Sequence, residues 1–466
     1  MRSRILTAFL AASLAGAPAA TLPENFRQAG PGVTRDSADL KLWWKQLHDP
    51  ELDSLIDRAI RNNIELRVAA ARVAQARALE RVQRSSLFPV LSLSAAFDRI
   101  RGGFAQGNVH VDASRGAPGL ISPFETNNFQ AGLDASWEAD IFGANRKAVS
   151  ASAADARSAE EARRDTLVTV TGEVARAYAE LRGIDRRLAI TRATIQTQRD
   201  TLHLTKVRAE AGLATELDVA QQTTQLSTTQ AAEPALLAQR VQTVQRLSVL
   251  IGQQPDSLLD ELQSAGGLPV VPPVIGAGLP SDLLARRPDV RRAQSDVVAA
   301  AARVGAARAE LFPKFMITGF AGRQGTTIGG LTLGAGNFFS IGPAVQLPIF
   351  TGGRIRANIA VHNAQLEEAQ ARYEGAMLTA LEDVENALSA YAREEERREK
   401  LAAAAGASRT AVDLARELYT RGLSDFLSVL DAQRAQYAAE DALAVSQTAI
   451  VTDVVALYKA LGGGWD

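Results

Sequence analysis

Phe129-Gln130-Ala131-Gly132-Leu133-Asp134-Ala135-Ser136-Trp137-Glu138 alternates apolar with polar or small side chains, residue by residue. A period of two marks a strand with one apolar face. The same alternation runs through Val90 to Ile100, where Leu91, Leu93, Ala95 and Phe97 face away from Ser92, Ser94, Ala96 and Asp98. It returns late in the chain, where Phe339, Ile341, Pro343, Val345 and Leu347 alternate with Ser340, Gly342, Ala344 and Gln346. Lys314 to Gly322 reads as a weaker fourth strand. Each strand has about ten residues, the length a tilted strand needs to cross a bilayer. A soluble hairpin with one buried face gives the same pattern, so the flanking sequence must decide.

Working outward, each strand pair sits between helical stretches. Glu51 to Leu87 is rich in Ala, Arg, Leu and Glu, has no internal Gly or Pro, and stops before Pro89. After the strands comes a helix over 145–210, a turn at Gly212, and a helix over 216–251 with Thr215 as its cap and Gly252 beyond its end. The second half repeats the plan with helices over 281–311, 354–420 and 424–461. Three segment pairs recur in the same order. Ser85-Ser86-Leu87-Phe88-Pro89 matches Ala309-Glu310-Leu311-Phe312-Pro313. Asp140-Ile141-Phe142-Gly143 matches Pro348-Ile349-Phe350-Thr351. Ala211-Gly212-Leu213-Ala214-Thr215 matches Arg421-Gly422-Leu423-Ser424-Asp425. Two copies indicate a duplicated unit rather than a solenoid.

Lengths sharpen this plan. The two unbroken helices have about 66 residues each, hence about 100 Å, more than a globular core accommodates. The shorter helices of each half sum to nearly the same length and can lie end to end beside the long one. The segment to Pro50, the linker over 256–280 and the C-terminus then meet as a belt at mid-height. Both strand pairs fall at one end of the helices, with no globular core to bury them. The loops beyond them, Arg101 to Asn128 and Gln324 to Asn337, are long and rich in Gly and polar residues. Both features favour membrane strands over a soluble hairpin, with Phe97, Trp137, Phe315 and Phe339 as an aromatic girdle. Four strands do not close a barrel, so several chains must share one. Two chains give eight strands, three give twelve and four give sixteen; geometry does not choose. A plain long coiled coil is the rival, since Leu237, Val241, Val244, Leu247 and Ile251 keep coiled-coil spacing.

Composition narrows the function classes. A formal net charge of −1 over 466 residues argues against a nucleic-acid partner. With no cysteine there is no disulfide, thiolate site or lipidated cysteine. His48, His110, His203 and His362 are scattered, and no nucleophile motif or phosphate loop appears, so neither an enzyme nor a bound cofactor or metal is expected. Arg2 and Arg4, the short apolar run Ile5 to Leu14 and Ala17-Pro18-Ala19 read as a secretion signal over residues 1–19. The charged run Arg393 to Lys400 reads as a solvated helix face.

The sequence resembles the TolC-like outer-membrane efflux factors, within them the OprM and NodT branch, over nearly the whole chain after the signal. The resemblance rests on Leu283-Leu284-Ala285-Arg286-Arg287-Pro288-Asp289-Val290-Arg291, Leu311-Phe312-Pro313, Asp140-Ile141-Phe142-Gly143, and Gly422-Leu423 followed by Leu430-Asp431-Ala432-Gln433-Arg434. It implies a mainly α fold with membrane β: a long α-helical barrel in the periplasm and a shared 12-stranded β-barrel formed by a homotrimer, four strands per chain. It implies docking to a periplasmic adaptor and an inner-membrane pump of the resistance-nodulation-division class, with the strands in outer-membrane lipid. The family's aspartate ring falls on Asp431, with Arg434 on the same helix face and Asp425 nearer the tip. Three Asp431 carboxylates around an axis favour cations; the plainer alternative is a surface Asp paired with Arg. Gly212, Leu213, Arg421, Gly422 and Leu423 match the tip turns where adaptor hairpins bind. Many branch members carry a lipidated cysteine, absent here, so the strands alone hold the chain. The expected function is efflux of drugs or small toxicants; the alternative is a type I secretion channel for proteins.

Overall fold

The computed structural model describes residues 23, 25–28, 33, 34, 40–102, 124–264, 266–329, 331 and 336–465. The expected signal, most of the first strand-to-strand loop and part of the second lie outside these residues. In chain order the main elements are α1 (Pro50–Asn62), α2 (Ile64–Ser85), β1 (Val90–Gly102), β2 (Phe124–Ala139), α3 (Ala144–Glu210) and α4 (Glu216–Leu250). The second half has α5 (Pro288–Ala309), β3 (Lys314–Gly325), β4 (Asn337–Gln346), α6 (Arg354–Thr420) and α7 (Phe426–Ala460). The two halves match in length: α2 and α5 have 22 residues, α3 and α6 have 67, α4 and α7 have 35.

Two expectations need correction. The helix read over 51–87 breaks at Asn63, whose ψ of 133° leaves the helix. The Asn63 side chain caps α2 by accepting from Leu66 N and donates to the Leu250 carbonyl at 2.7 Å. The helix read over 281–311 is also broken. A 3-10 turn and the single turn Leu283–Arg286 precede Arg287, whose ψ of 119° is what Pro288 imposes on its predecessor. β1 is longer than read by two residues and β2 by four at its start, whereas β4 ends at Gln346, short of the Leu347 read into it, because Pro348 has no N–H to continue the ladder.

The chain divides into two bodies, and α2, α3, α5 and α6 each contribute residues to both. One comprises Met1–Val73, Arg157–Gln294 and Ala371–Asp466. Its core gathers Trp43, Trp44, Leu52, Leu55, Ile56, Tyr178, Leu181, Leu247, Leu258 and Tyr458. Trp43 stacks on Tyr458 with centroids 5.2 Å apart. Asp49 caps α1 before Pro50 and also accepts from the Tyr178 hydroxyl at 2.9 Å, fixing α1 to α3. The N-terminal segment, linker and C-terminus meet here. Val33–Thr34 pairs in parallel with Ile275–Gly276, Val270 N donates to the Leu47 carbonyl, and Gly464 N donates to the Leu40 carbonyl. Arg287 is buried and holds three elements together, donating to Asp289 at 2.6 Å, to Asp383 at 2.9 Å and to the Ala460 carbonyl at 3.2 Å. Burial pushes the Asp289 carboxyl up, yet the Arg287 guanidinium and the Val290 amide beside it hold it below the usual carboxylate range. α7 is apolar enough by composition and length to cross a membrane, yet Val454, Val455, Leu457 and Tyr458 are buried in this core. On α6, Arg393, Arg397 and Arg398 pair with Glu396, Glu394 and Glu395 one turn away, so that run is self-neutralising.

The second body comprises Ala74–Ala156 and Ser295–Gln370 and holds the sheet. Its order is β1-β2-β3-β4, every pair antiparallel. The register places Leu93 opposite Leu133, Leu133 opposite Ala321 and Ala321 opposite Phe339. Alternate positions along every strand therefore share a face, and Leu91, Leu93, Phe97, Leu133, Ile317, Phe339, Ile341 and Val345 form one apolar surface. Those eight side chains are exposed in the single chain. The opposite face carries Ser92, Ser94, Gln130, Asp134, Ser136, Thr318, Ser340 and Gln346, and the Ser94 hydroxyl donates to Asp134. On that face Phe320 stacks on Phe338 at 4.6 Å and lies over Gly132 and Gly322, where any Cβ would strike the ring. β1 and β4 are the two edges. Pro343 sits in β4, as a proline in a sheet must sit at an edge.

Candidate functional site: the helix-turn tips

The α3–α4 and α6–α7 turns are built alike. Gly212 and Gly422 take φ values of 71° and 75°, left-handed conformations that a Cβ disfavours. Leu213 N donates back to the Arg208 carbonyl and Leu423 N to the Leu418 carbonyl, both bonds closing the last turn of the preceding helix. Thr215 and Asp218 form a reciprocal cap on α4. At the equivalent place Asp425 caps α7, accepting from Ser428 N at 3.1 Å and from the Ser428 hydroxyl at 2.6 Å. Those hydrogen bonds hold its carboxyl below the usual range. Arg421 is exposed and pairs with Glu417 on its own helix.

Beneath the second turn, Tyr419, Phe426, Val429 and Leu430 form a small separate core. Arg208 of α3 lies over the Tyr419 ring at 4.7 Å and donates to the Thr420 carbonyl, fastening α3 to the end of α6. Leu213 and Leu423 are 66% and 69% exposed, and Leu217 and Leu427 continue the apolar surface one turn into each helix.

Further along the helices the packing becomes polar. Gln433 of α7 donates to the Thr201 hydroxyl of α3 at 2.9 Å, and Gln222 of α4 donates to the Gln198 carbonyl of α3 at 2.9 Å. Arg434 donates from Nε to Gln225 of α4 at 2.7 Å. Asp431 is 65% exposed, with its carboxylate 3.9 Å from the Arg434 guanidinium. Of the sequence-read residues, Asp431 and Arg434 thus share one face of α7, while Asp425 stands at the helix start with its carboxylate engaged in the cap. The duplicated turn has no matching carboxylate, since Gln221 holds the place of Asp431. Sequence reasoning missed Gln225, Gln433, Thr201 and the exposed Leu217 and Leu427. The two leucines follow Leu213 and Leu423 by four residues, a helical spacing that could have revealed them. Gln225 meets Arg434 across 209 positions, a partnership no local pattern announces. Among the described residues, no group of three His, Cys, Asp or Glu side chains is placed to hold a metal ion.

The profile of the family described as outer membrane efflux protein matches residues 55–253 and 279–463. The chain is similar to outer membrane protein OprJ of Pseudomonas aeruginosa, 33% identical over 451 residues, covering 96% of this chain and 91% of that protein. It is similar to the toluene efflux pump outer membrane protein TtgC of Pseudomonas putida, 34% identical over 439 residues, with 93% and 88% covered. It superposes on the solved outer-membrane channel OprN with a TM-score of 0.88 and 33% identity, covering 96% of this chain and 97% of that one.

Proposed function

From the premise that this chain belongs to the outer membrane efflux protein family, we propose that it conducts small apolar toxicants, solvents and antibiotics among them, out of the cell. It is the outer-membrane channel of a tripartite efflux system, a conduit rather than an enzyme, and it works with a periplasmic adaptor and an inner-membrane pump. The pump supplies the energy and selects the cargo.

The observation that carries this reading is the sheet. A four-stranded antiparallel sheet with one continuous apolar face, exposed in the single chain, and two unpaired edges is unstable in water. In a bilayer the apolar face meets lipid, and closure with two further copies removes both edges. Three copies give twelve strands, and the polar face carrying Asp134, Ser94 and Gln130 becomes the wall of an aqueous lumen.

The tips form the other working end. Asp431, Arg434 and Asp425 are read as the periplasmic gate, and Gly212, Leu213, Arg421, Gly422 and Leu423 as adaptor-docking positions. Supporting the gate is the exposed Asp431 carboxylate on α7, which three copies concentrate near one axis, favouring cation entry. Supporting closure is the polar seam of Arg434, Gln225, Gln433 and Thr201, which ties α7 to α4 and α3. Such a seam separates at modest cost, because each group finds water on opening. Supporting docking are the exposed Leu213, Leu217, Leu423 and Leu427 at the turns.

The test is complementation. A host lacking its own channel, given this chain with its adaptor and pump, should regain tolerance to toluene and to apolar antibiotics. Unchanged sensitivity, with the chain present in the outer membrane, would count against the efflux reading.

A further inference from the structure

The inner seam of the sheet and its two edges are related by the duplication. Where β2 and β3 lie side by side, Phe142, just after β2, stacks on Phe312, just before β3, with centroids 4.7 Å apart and planes 17° apart. Phe142 lies in Asp140-Ile141-Phe142-Gly143 and Phe312 in Leu311-Phe312-Pro313. Both segments have second copies, and those copies stand at the free edges. Leu87-Phe88-Pro89 enters β1, and Pro348-Ile349-Phe350-Thr351 leaves β4. Phe88 is 64% exposed, and Ile349 and Phe350 are 92% and 91% exposed. Among the described residues neither Phe88 nor Phe350 stacks on another ring. The chain thus carries an aromatic pair made at its inner seam and the two halves of the same pair left open at its edges.

Resting on the trimeric channel described above, we propose that β4 of one protomer pairs antiparallel with β1 of the next in the register of the β2–β3 seam, so that Phe350 stacks on the partner's Phe88. Within the chain, Ser136 lies opposite Thr318, Trp137 opposite Ile317 and Leu133 opposite Ala321. Carrying each residue to its copy sets Ala344 opposite the partner's Ser94, Val345 opposite the partner's Leu93 and Ile341 opposite the partner's Phe97. The pleat is an independent check on this register. Leu93, Phe97, Ile341 and Val345 all lie on the apolar face, while Ser94 and Ala344 both lie on the other. A slip of one residue would set apolar against polar along the whole seam and is excluded. Slips of two residues keep the faces but separate Phe350 from the partner's Phe88. The aromatic pair therefore supplies what the pleat cannot: it selects one register among those with matching faces. In the closed barrel, stacks within and between protomers alternate around the rim next to the helices.

The natural chain contains no cysteine, so paired thiols report without background. Two double variants, A344C with S94C and V345C with L93C, sample the two faces, one of which presents the closely spaced pairs that oxidise readily. Oxidation in isolated outer membranes should link protomers through at least one of these pairs. It should do so at least about fivefold more than A344C with S92C or A96C, or V345C with L91C or A95C, the pairs displaced by two residues. Strongest linkage through a displaced pair, in protein that still sizes as a trimer in detergent, overturns the register. Protein that never sizes as a trimer overturns the channel reading itself, a different failure. F350A and F88A should each lower the temperature at which the trimer dissociates in SDS, and the double variant should fall no further than the worse single. Fully additive losses overturn the stack.

Discussion

Arg434 donates from Nε to the Gln225 side-chain oxygen Oε1 at 2.7 Å, a bond from α7 to α4 that leaves Asp431 only a looser partner at 3.9 Å. The arginine is therefore engaged in the helix wall, and the carboxylate is left facing solvent. A hydrogen bond to a charged donor is worth about 1.5–3 kcal/mol. Replacing Gln225 by Leu should release α7 from α4, and planar-bilayer recordings should show a larger or longer-lived open conductance than the natural channel. Identical traces would remove this contact from the gate.

The two tip carboxylates should behave differently. Asp431→Ala should weaken cation preference in bilayer recordings and leave folding intact, because its carboxylate caps nothing. Asp425→Ala should fray the first turn of α7, and Asp425→Asn should restore it, since Asn caps as well as Asp. The Asp425 carboxyl sits below its usual range, so its cap is present above that range and is lost as pH falls through the depressed value. A loss of selectivity in Asp425→Ala but not in Asp431→Ala would reverse the assignment.

Arg287 should be the most sensitive single position away from the tips. Replacing it by Met leaves Asp289 and Asp383 without their shared cation and the Ala460 carbonyl without its donor. Breaking one side of a buried pair costs about 3–5 kcal/mol. Arg287→Met should yield little assembled protein and a lower unfolding temperature by circular dichroism. Arg287→Lys should not rescue it, because one ammonium does not serve two carboxylates and a carbonyl in a plane.

Acid should strengthen one place in the wall. Asp453 is pushed up to about 6, first by burial and then by Glu394. It lines a cavity of about 470 Å³ with Asp165, Asp289, Asp383, Arg287 and Lys459. A carboxyl raised in the folded state binds its proton more tightly there than in the unfolded chain. Its ionisation therefore costs stability above about 6, a cost that shrinks as pH falls and vanishes below the unfolded value. Asp453→Asn should gain about 1 kcal/mol at pH 7.5, after discounting for the half of the group that water screens, and nothing at pH 3.5. Equal melting shifts at both pH values would contradict this.

What the sequence disclosed and what it hid follow from the range of the forces. Strand alternation, Pro89 and the tip glycines are local, and each was readable. Asn63 was not, because it breaks a helix without Gly or Pro and is fixed by a carbonyl 187 residues away. Pro288 was readable by the restriction it places on Arg287, yet strong helix formers on both sides mask the break. Asp425 reads as a gate charge, and only the folded chain adds that its carboxylate also accepts from the Ser428 amide as the cap of α7. The Arg434–Gln225 bond depends on how α4 and α7 pack, which periodicity does not encode.

The central claim is that three copies close one barrel in the outer membrane. Native mass measurement of the protein extracted from outer-membrane fractions in detergent tests it most directly. The account predicts a single species of three chains, released only by detergent. A monomer washed free by salt without detergent would contradict it.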